Sequence, residues 1–315
     1  MTGETFLSLI EILVVLFLLI ATGFFARKKG IIDDAASKRL SKLIVNIGQP
    51  MLIVSSLTKV EYSDERAKEG LIMFGIGMAI HSFLAIFAFF STKWIKNIDE
   101  RKVSEYSIVF ANAGFIGFPI LRSIFGDIGE FWGSFYVISF HIFVWTCGML
   151  ILGRGRDDIK LTVRKIFFNL GTIPCLIGIG LYFMTKWIPL PQFVASYTGF
   201  LANLCTPISV LIVGALIATQ TPKQLFCDPK VYFVALCRLI VCPIIVCLIE
   251  KLIGLPSDFI FFSVAVAGMP SASNITMFGE IYDIAPGYAS VTVGVTSLLT
   301  VATLPLVMLI TNIIV

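Results

Sequence analysis

Charged side chains are scarce in this sequence. Only 14% of its 315 residues are Asp, Glu, Lys or Arg, whereas a soluble domain carries about a quarter. Hydrophobic residues make up 57%, and the mean hydropathy is +0.93. The scarcity of charge excludes an ordinary soluble domain and indicates an integral membrane protein.

Metal-binding and catalytic patterns are also missing. His81 and His141 lie on separate apolar segments, and the seven cysteines show neither a CxxC pair nor an interleaved histidine. Zinc and redox sites need such clusters. The sequence contains no HExxH, GxGD or GxSG motif either. We therefore expect no metal, no cofactor and no enzymatic activity, and nothing in the net charge of +4 points to a nucleic-acid partner.

Long apolar runs fill most of the chain. A bilayer-spanning helix needs about 20 apolar residues, and ten runs of this kind are present. They lie near 5–26, 36–58, 70–91, 104–125, 130–152, 166–187, 193–219, 230–252, 258–281 and 287–313. The sequence therefore predicts an all-α polytopic protein with ten transmembrane helices and no soluble domain.

The basic residues predict how these spans are oriented. Of the 24 Lys and Arg residues, 17 lie in connections that follow odd-numbered spans, 6 follow even-numbered spans, and Arg238 lies within a span. Basic loops stay on the cytoplasmic side. We expect a multi-pass protein of the cell membrane with both termini on the non-cytoplasmic face.

The two halves of the chain resemble each other. Three matches keep their order at offsets of 154–157 residues: 46–50 with 203–207, His81 with Arg238, and 111–114 with 265–268. Five helices is an odd number, so the second half must enter from the opposite side. We predict two inverted five-helix repeats, 1–153 and 166–315, joined by a cytoplasmic linker at 154–165.

The fourth and ninth spans contain residues that a spanning helix should avoid. Residues 110–119 read FANAGFIGFP, and residues 265–274 read AVAGMPSASN. Glycine and proline weaken helices, and a break in hydrocarbon survives only where protein or a cavity covers it. Paired broken helices mark the substrate site of many transporters. We expect half-helices to begin around 117–119 and around 270–273, with positive helix ends that attract an anion.

The breaks supply most of the candidate substrate-binding residues. They are Asn112, Gly114, Gly117, Pro119, Gly268, Pro270, Ser271, Ser273 and Asn274. Asn112 and Asn274 are placed to hydrogen-bond a carboxylate, although Asn112 could instead cap its own broken backbone. Ser271 or Ser273 is expected to cap the second half-helix.

Three ionisable residues are candidates for a counter-charge or for ion coupling. Glu11 and Arg238 are expected to face the bundle interior because a charge facing lipid costs about 2.5–3.5 kcal/mol or more. Arg238 is either a fixed counter-charge, for an anion or for Glu11, or a snorkelling side chain. Glu280 closes the ninth span and is either interfacial or a proton or sodium ligand.

The broken stretches resemble a known family. Residues 112–119 are similar to the N-x-G-F-x-G-x-P motif of the auxin efflux carrier family, and 269–272 resemble its companion motif. That family includes plant auxin exporters and bacterial carboxylate permeases. The resemblance implies a fold like that of bile-acid symporters and NhaA-type antiporters, with scaffold helices 1, 2, 6 and 7 and transport-domain helices 3–5 and 8–10. It also implies a homodimer through the scaffold, elevator-type motion, and lining of the anion site by Ser55, Ser56 and His141. His141 could equally relay a proton or serve as a structural histidine.

Taken together, the sequence predicts a secondary transporter of small organic anions, either malate-like or auxin-like. The mid-chain linker has only about a dozen residues, unlike the long loop of plant members, which favours a bacterial-type permease. The alternatives are a channel and a cation/proton antiporter or sodium-coupled symporter on the same fold. A channel needs a continuous polar pore, whereas the polar residues here cluster at the two breaks. Antiporters usually place paired Asp or Glu residues at the crossing, and neither broken stretch contains an acid.

Overall fold

The computed structural model describes residues 3–156, 159 and 172–315. This part of the chain is helical, and its only β-pairing is one isolated bridge. The helices are α1 Gly3–Lys28, α2 Asp34–Thr58, α3 Asp64–Ser91, α4 Ile98–Val109, α5 Ala113–Phe125, α6 Asp127–Leu152, α7 Thr172–Met184, α8 Gln192–Ile217, α9 Pro222–Phe226, α10 Pro229–Ile253, α11 Ser257–Ala267, α12 Asn274–Tyr282 and α13 Pro286–Ile314.

Seven helices in the described residues are long and apolar enough to cross a membrane: α1, α2, α3, α6, α8, α10 and α13. They fall on predicted spans 1, 2, 3, 5, 7, 8 and 10. The prediction of an all-helical, multi-pass membrane protein is therefore confirmed. Spans 4 and 9 each correspond to two shorter helices, α4 with α5 and α11 with α12. Span 6 falls on α7, and the first residues of that span lie outside the described part, as does most of the 154–165 linker.

The two divided spans cross at their breaks. An antiparallel bridge pairs Ala111 with Ser271. Its hydrogen bonds run from the N–H of Asn112 to the carbonyl of Pro270, at 2.8 Å, and from the N–H of Ala272 to the carbonyl of Phe110, at 2.9 Å. An unpaired backbone group in hydrocarbon costs several kcal/mol. Each break therefore satisfies backbone groups that the other break exposes.

The first half-helix begins earlier than predicted. The expected start was 117–119, but Asn112 is the N-cap of α5, whose first turn, Ala113–Gly117, is a π-helix. Pro119 lies in the turn that follows, where its ring prevents the usual bond to the carbonyl four residues earlier. That carbonyl, of Phe115, accepts instead from the Thr206 hydroxyl of α8 at 3.3 Å. The proline is thus accommodated within a continuous helix, and the break lies before it. The second half-helix begins at Asn274, close to the predicted 270–273.

Helices α1 and α8 approach each other backbone to backbone. A side chain at Gly23 would overlap the carbonyl of Leu211, and one at Gly214 would overlap the carbonyl of Ile20. Small residues allow such close packing in membranes, where van der Waals contact drives helix association. The two glycines therefore bring the N-terminal helix against the second half of the chain.

Candidate functional site

Asn112 begins a half-helix and retains a free donor. Its side-chain Oδ1 accepts from the N–H of Phe115 at 3.2 Å, and its carbonyl accepts from the N–H of Gly117 at 3.0 Å. The side chain is almost fully buried, and its Nδ2 has no hydrogen-bond partner among the described residues. Both sequence-based interpretations therefore apply: Asn112 caps its own helix, and its amide still has two donors for another group. A buried unpaired donor costs about 1–3 kcal/mol, and a bound acceptor would relieve that cost.

Arg238 is fully buried and bound to the crossing. Its Nη1 donates to the carbonyls of Ile108 at 2.8 Å and Val109 at 3.5 Å, its Nη2 to Val266 at 3.2 Å, and its Nε to Met269 at 3.1 Å. These carbonyls lie at the C-terminal ends of α4 and α11 and in the break that follows α11. Helix C-termini carry roughly half a negative charge each. One guanidinium therefore compensates both helix ends and joins them.

Arg238 faces the bundle interior, as expected, but neither the snorkelling interpretation nor the pairing with Glu11 applies. The side chain does not snorkel to the surface, and it does not pair with Glu11, which is exposed on α1 instead of facing the bundle interior. Glu280 is exposed near the end of α12 and takes no part in the crossing. Sequence patterns pair an arginine with an acid because they cannot show that two helix ends converge on it.

The second break is more tightly bound than the first. Ser271 is fully buried, and its Oγ donates to the carbonyl of Ser107 at 3.1 Å. Its N–H donates to Oγ1 of Thr296 at 3.2 Å. Ser273 precedes α12 but makes no side-chain cap, so neither serine fills the capping role expected of it. The Oδ1 of Asn274 is buried, and no described donor lies in hydrogen-bond geometry with it. The hydroxyl of the nearby Tyr106 is also buried and makes no hydrogen bond within the described residues.

The glycines of the breaks have different surroundings. A side chain at Gly117 would meet Sδ of Met269 at 2.7 Å, and one at Gly268 would meet Leu304 at 3.0 Å, so both glycines permit packing between helices. At Gly114 a side chain would meet only Nε2 of Gln49, at 3.3 Å. The polar end of Gln49, on α2, therefore faces the first break. Gln49 is not among the residues predicted from the sequence, although it precedes Pro50 in the repeated motif.

The residues suggested by family resemblance divide into two kinds. Ser56 is engaged, with its Oγ 2.5 Å from Oγ of Ser134 and 2.9 Å from backbone carbonyls. Ser55 Oγ and His141 Nε2 are buried and have no partner among the described residues. His81, which is not in that set, bonds the carbonyl of Gly77 at 2.7 Å and lies among four aromatic rings, and its Nε2 is likewise buried without a partner among the described residues. Ser55 and His141 thus retain hydrogen-bonding capacity, and Ser56 does not.

A cavity of ≈ 210 Å³ lies beside the crossing, on the side toward the end of α5. It is bounded by α2, α5, α6 and α8, and its lining residues are Leu52, Phe118, Pro119, Arg122, Glu130, Ala202, Asn203 and Thr206. Only Pro119 was among the predicted site residues. Two signals were available in the sequence: Asn203 and Thr206 belong to the repeated motif at 203–207, and Arg122 is a basic residue near the end of the predicted fourth span. No group of three His, Cys, Asp or Glu residues that could hold a metal is present in the described ranges.

The sequence of this chain is similar to those of proteins named as transporters. The chain is 22% identical to an uncharacterized transporter of Methanocaldococcus jannaschii, over 87% of this chain and 89% of the relative. It is 21% identical to an uncharacterized transporter of Methanothermobacter thermautotrophicus, over 96% and 98% of the two chains. A protein of Rhizobium meliloti named "Putative malonate transporter" is 22% identical over 84% of this chain and 83% of its own.

The strongest indication of family comes from nearly the whole length of the chain. Residues 8–308 match the family model described as "Membrane transport protein". This range includes both breaks, Arg238 and the cavity. The chain therefore belongs to the auxin efflux carrier family of membrane transport proteins.

Proposed function

We propose that this protein is a secondary transporter of small organic anions, not an enzyme, and that it binds a carboxylate at the crossing beside Asn112. One observation carries the proposal: the buried Nδ2 of Asn112 is an unpaired donor at the N-terminus of α5. A helix N-terminus attracts negative charge, and neutral donors there can hydrogen-bond a carboxylate.

The charges around the crossing favour an anion over a cation. Neither broken stretch contains an acid, and Arg238 is compensated by helix-end carbonyls without any carboxylate. An amine or metal cation would meet the positive N-terminal ends of the half-helices. The name of the Rhizobium meliloti relative, a malonate transporter, supports a short carboxylate as the substrate.

The architecture proposed with this function is the one that the sequence suggested. Ten spans form two inverted five-helix repeats, 1–153 and 166–315, with both termini on the non-cytoplasmic side of the cell membrane. Spans 1, 2, 6 and 7 form a scaffold that dimerises, and the remaining spans carry the substrate in an elevator-type movement. The direct bond from Thr206 of α8 to Phe115 of α5 is one of the contacts that such a movement would break.

The test is uptake of labelled malonate, malate, lactate and indole-3-acetate into proteoliposomes. Asn112→Asp is the sharpest variant because aspartate preserves the helix cap, removes the amide donors and adds a negative charge where the anion binds. Hydrogen bonds to charged groups contribute about 1.5–3 kcal/mol, so we expect Asn112→Asp to lower affinity at least tenfold. Asn112→Ala should also lose affinity, with a small further loss of stability from the missing cap.

A matched control is Asn46→Ala. Asn46 is an exposed asparagine of α2 whose Nδ2 donates to the carbonyl of Lys42 at 2.6 Å, so its amide is neither buried nor unpaired. The Asn46→Ala variant should transport the acids like the parent protein. The anion-site proposal fails if none of the four acids moves, or if Asn112→Asp transports them as well as the parent. Uptake that instead follows a sodium or proton gradient without any acid would favour the cation carrier.

A further inference from the structure

The cavity beside the crossing contains an arginine whose donors are not used. Arg122 approaches Asp127 and Glu130, but both of its closest N–O distances are 3.6 Å, which is too long for a hydrogen bond. Among the described residues no hydrogen bond uses its guanidinium, and its side chain is 51% exposed. Arg122 therefore offers a planar fork of donors to the cavity that it lines.

The acid next to it, Glu130, is also paired with a lysine on its other side. Glu130 is nearly buried, with 6% of its side chain exposed, and its Oε2 accepts from Nζ of Lys59 at 3.1 Å. Lys59 is close enough to donate a hydrogen bond to Glu130, whereas Arg122 is not. Because Lys59 shares the charge of Glu130, the described residues give Arg122 only two loose ion pairs, each at 3.6 Å, and its hydrogen-bond donors stay unused.

The rest of the lining suits a small anion. Asn203 adds a polar group from α8, and Phe118 and Leu52 supply apolar walls, whereas the Thr206 hydroxyl already donates to Phe115. Low-dielectric walls concentrate the field of a charge within a cleft. The volume of ≈ 210 Å³ is several times the ~30 Å³ that one water occupies in the liquid, so a short carboxylate fits together with some of its water.

The cavity is separate from the crossing site but lies on the same helix. Arg122 is ten residues beyond Asn112, and at ~1.5 Å per residue the two backbones are roughly 15 Å apart along α5. A three- or four-carbon acid does not span that distance. Pro119, which lines the cavity, lies between the two residues.

We propose that the cavity around Arg122 is an antechamber, that is, a first binding site in which the guanidinium captures the substrate's carboxylate before it reaches Asn112. Glu130 competes with the substrate for this guanidinium. A carboxylate that enters the cavity makes the paired hydrogen bonds that Glu130 does not make. Glu130 lowers the affinity by holding negative charge 3.6 Å from the guanidinium, so release toward the crossing is not blocked by overly tight capture. This inference rests on the proposed function and assigns a second site to the same substrate.

The two residues should therefore act in opposite directions. In proteoliposomes we expect Arg122→Gln to raise the KM for malonate about tenfold, or 1.4 kcal/mol, with kcat close to that of the parent. Arg122→Lys keeps the charge but loses the fork, so its KM should fall between the two. Glu130→Gln removes the competing charge and should lower KM. The KM of the parent protein should also rise with ionic strength, and that dependence should be weaker in Arg122→Gln.

Arg66→Gln is the matched control. Arg66 is also a half-exposed arginine, but its Nη1 donates to Glu69 at 2.8 Å outside the cavity, so its loss should leave KM and its salt dependence unchanged. Malonate binding to the detergent-solubilised protein separates the two sites. Asn112→Asp should retain a weak, salt-sensitive binding event that the double variant with Arg122→Gln loses.

The outcomes distinguish the two proposals. If the parent protein carries none of the acids, the proposed function fails. If the parent carries malonate but Arg122→Gln matches it, or if Glu130→Gln raises KM as Arg122→Gln does, the antechamber is refuted and the crossing site stands. A loss of kcat without a change in KM in Arg122→Gln would also refute it, because it would assign Arg122 to the movement and not to capture.

Discussion

Arg238 donates hydrogen bonds to backbone carbonyls that the ends of two helices would otherwise leave unpaired. A buried cation is costly unless it is paired, and here the partners are four carbonyl oxygens from the ends of α4 and α11 and from the break after α11. The positive charge and the two negative helix ends compensate each other. The arginine is thus a structural element of the crossing.

This assignment predicts a graded loss of stability. Arg238→Ala would strand several buried carbonyls, each at a cost of about 1–3 kcal/mol, and should greatly lower the thermal unfolding temperature in detergent. Arg238→Lys retains a charge but lacks the planar fork, so it should unfold between the alanine variant and the parent. An alanine variant that melts with the parent protein would show that the carbonyls find other partners.

Among the elements, the pair of α1 and α8 depends most on the absence of side chains. A methyl group at Gly23 or Gly214 would overlap a backbone carbonyl of the facing helix, and backbone cannot move aside as a flexible side chain can. We expect Gly23→Ala and Gly214→Ala each to lower the unfolding temperature or the yield of folded protein. Gly75→Ala is the control, since a side chain there meets no atom within 4 Å. Equal melting of all three variants would contradict the close approach.

The sequence predicted the broken elements but not their geometry. Glycine, proline and asparagine in two apolar spans indicate helix breaks, and both breaks are present. The predicted start of the first half-helix lies four to six residues too late, because the prediction rests on proline as the breaking residue. In the structure Asn112 caps α5. The Thr206 hydroxyl donates to the Phe115 carbonyl that Pro119 leaves unpaired, so the proline fits inside the helix. A contact from a helix about 90 residues away is not visible in local patterns.

The site residues show the same limit. Polar residues within a break could be identified from sequence, and Asn112 does retain a free donor. Ser56 and Ser271 have the right chemistry, but their hydroxyls are used by Ser134 and Ser107 respectively. Gln49, Arg122 and Glu130 become candidates only when the packing of α2, α5, α6 and α8 places them next to the breaks.

At the scale of the whole molecule, the proposed topology makes the native cysteines informative. Cys227 is exposed between α9 and α10, whereas the other six cysteines are buried or partly buried. With both termini outside, Cys227 faces the cytoplasm. A membrane-impermeant maleimide should therefore label it in inside-out vesicles and not in intact cells. Glu61→Cys, in the exposed connection between α2 and α3, should show the opposite pattern. The reverse result for the pair would overturn the orientation.

The bridge at the crossing also has a consequence for biogenesis. Ala111 and Ser271 are 160 residues apart in sequence, so the first break enters the membrane long before its partner is synthesised. At ~5–20 residues per second the delay is roughly 8–30 s. During that interval the backbone groups of residues 110–112 have no partner from the second half, and Arg238, which joins the helix ends, has not been made. The nascent first half must be sheltered by the insertion machinery or by water, and a chain that stops before residue 271 leaves the cell with an unfinished membrane segment to degrade.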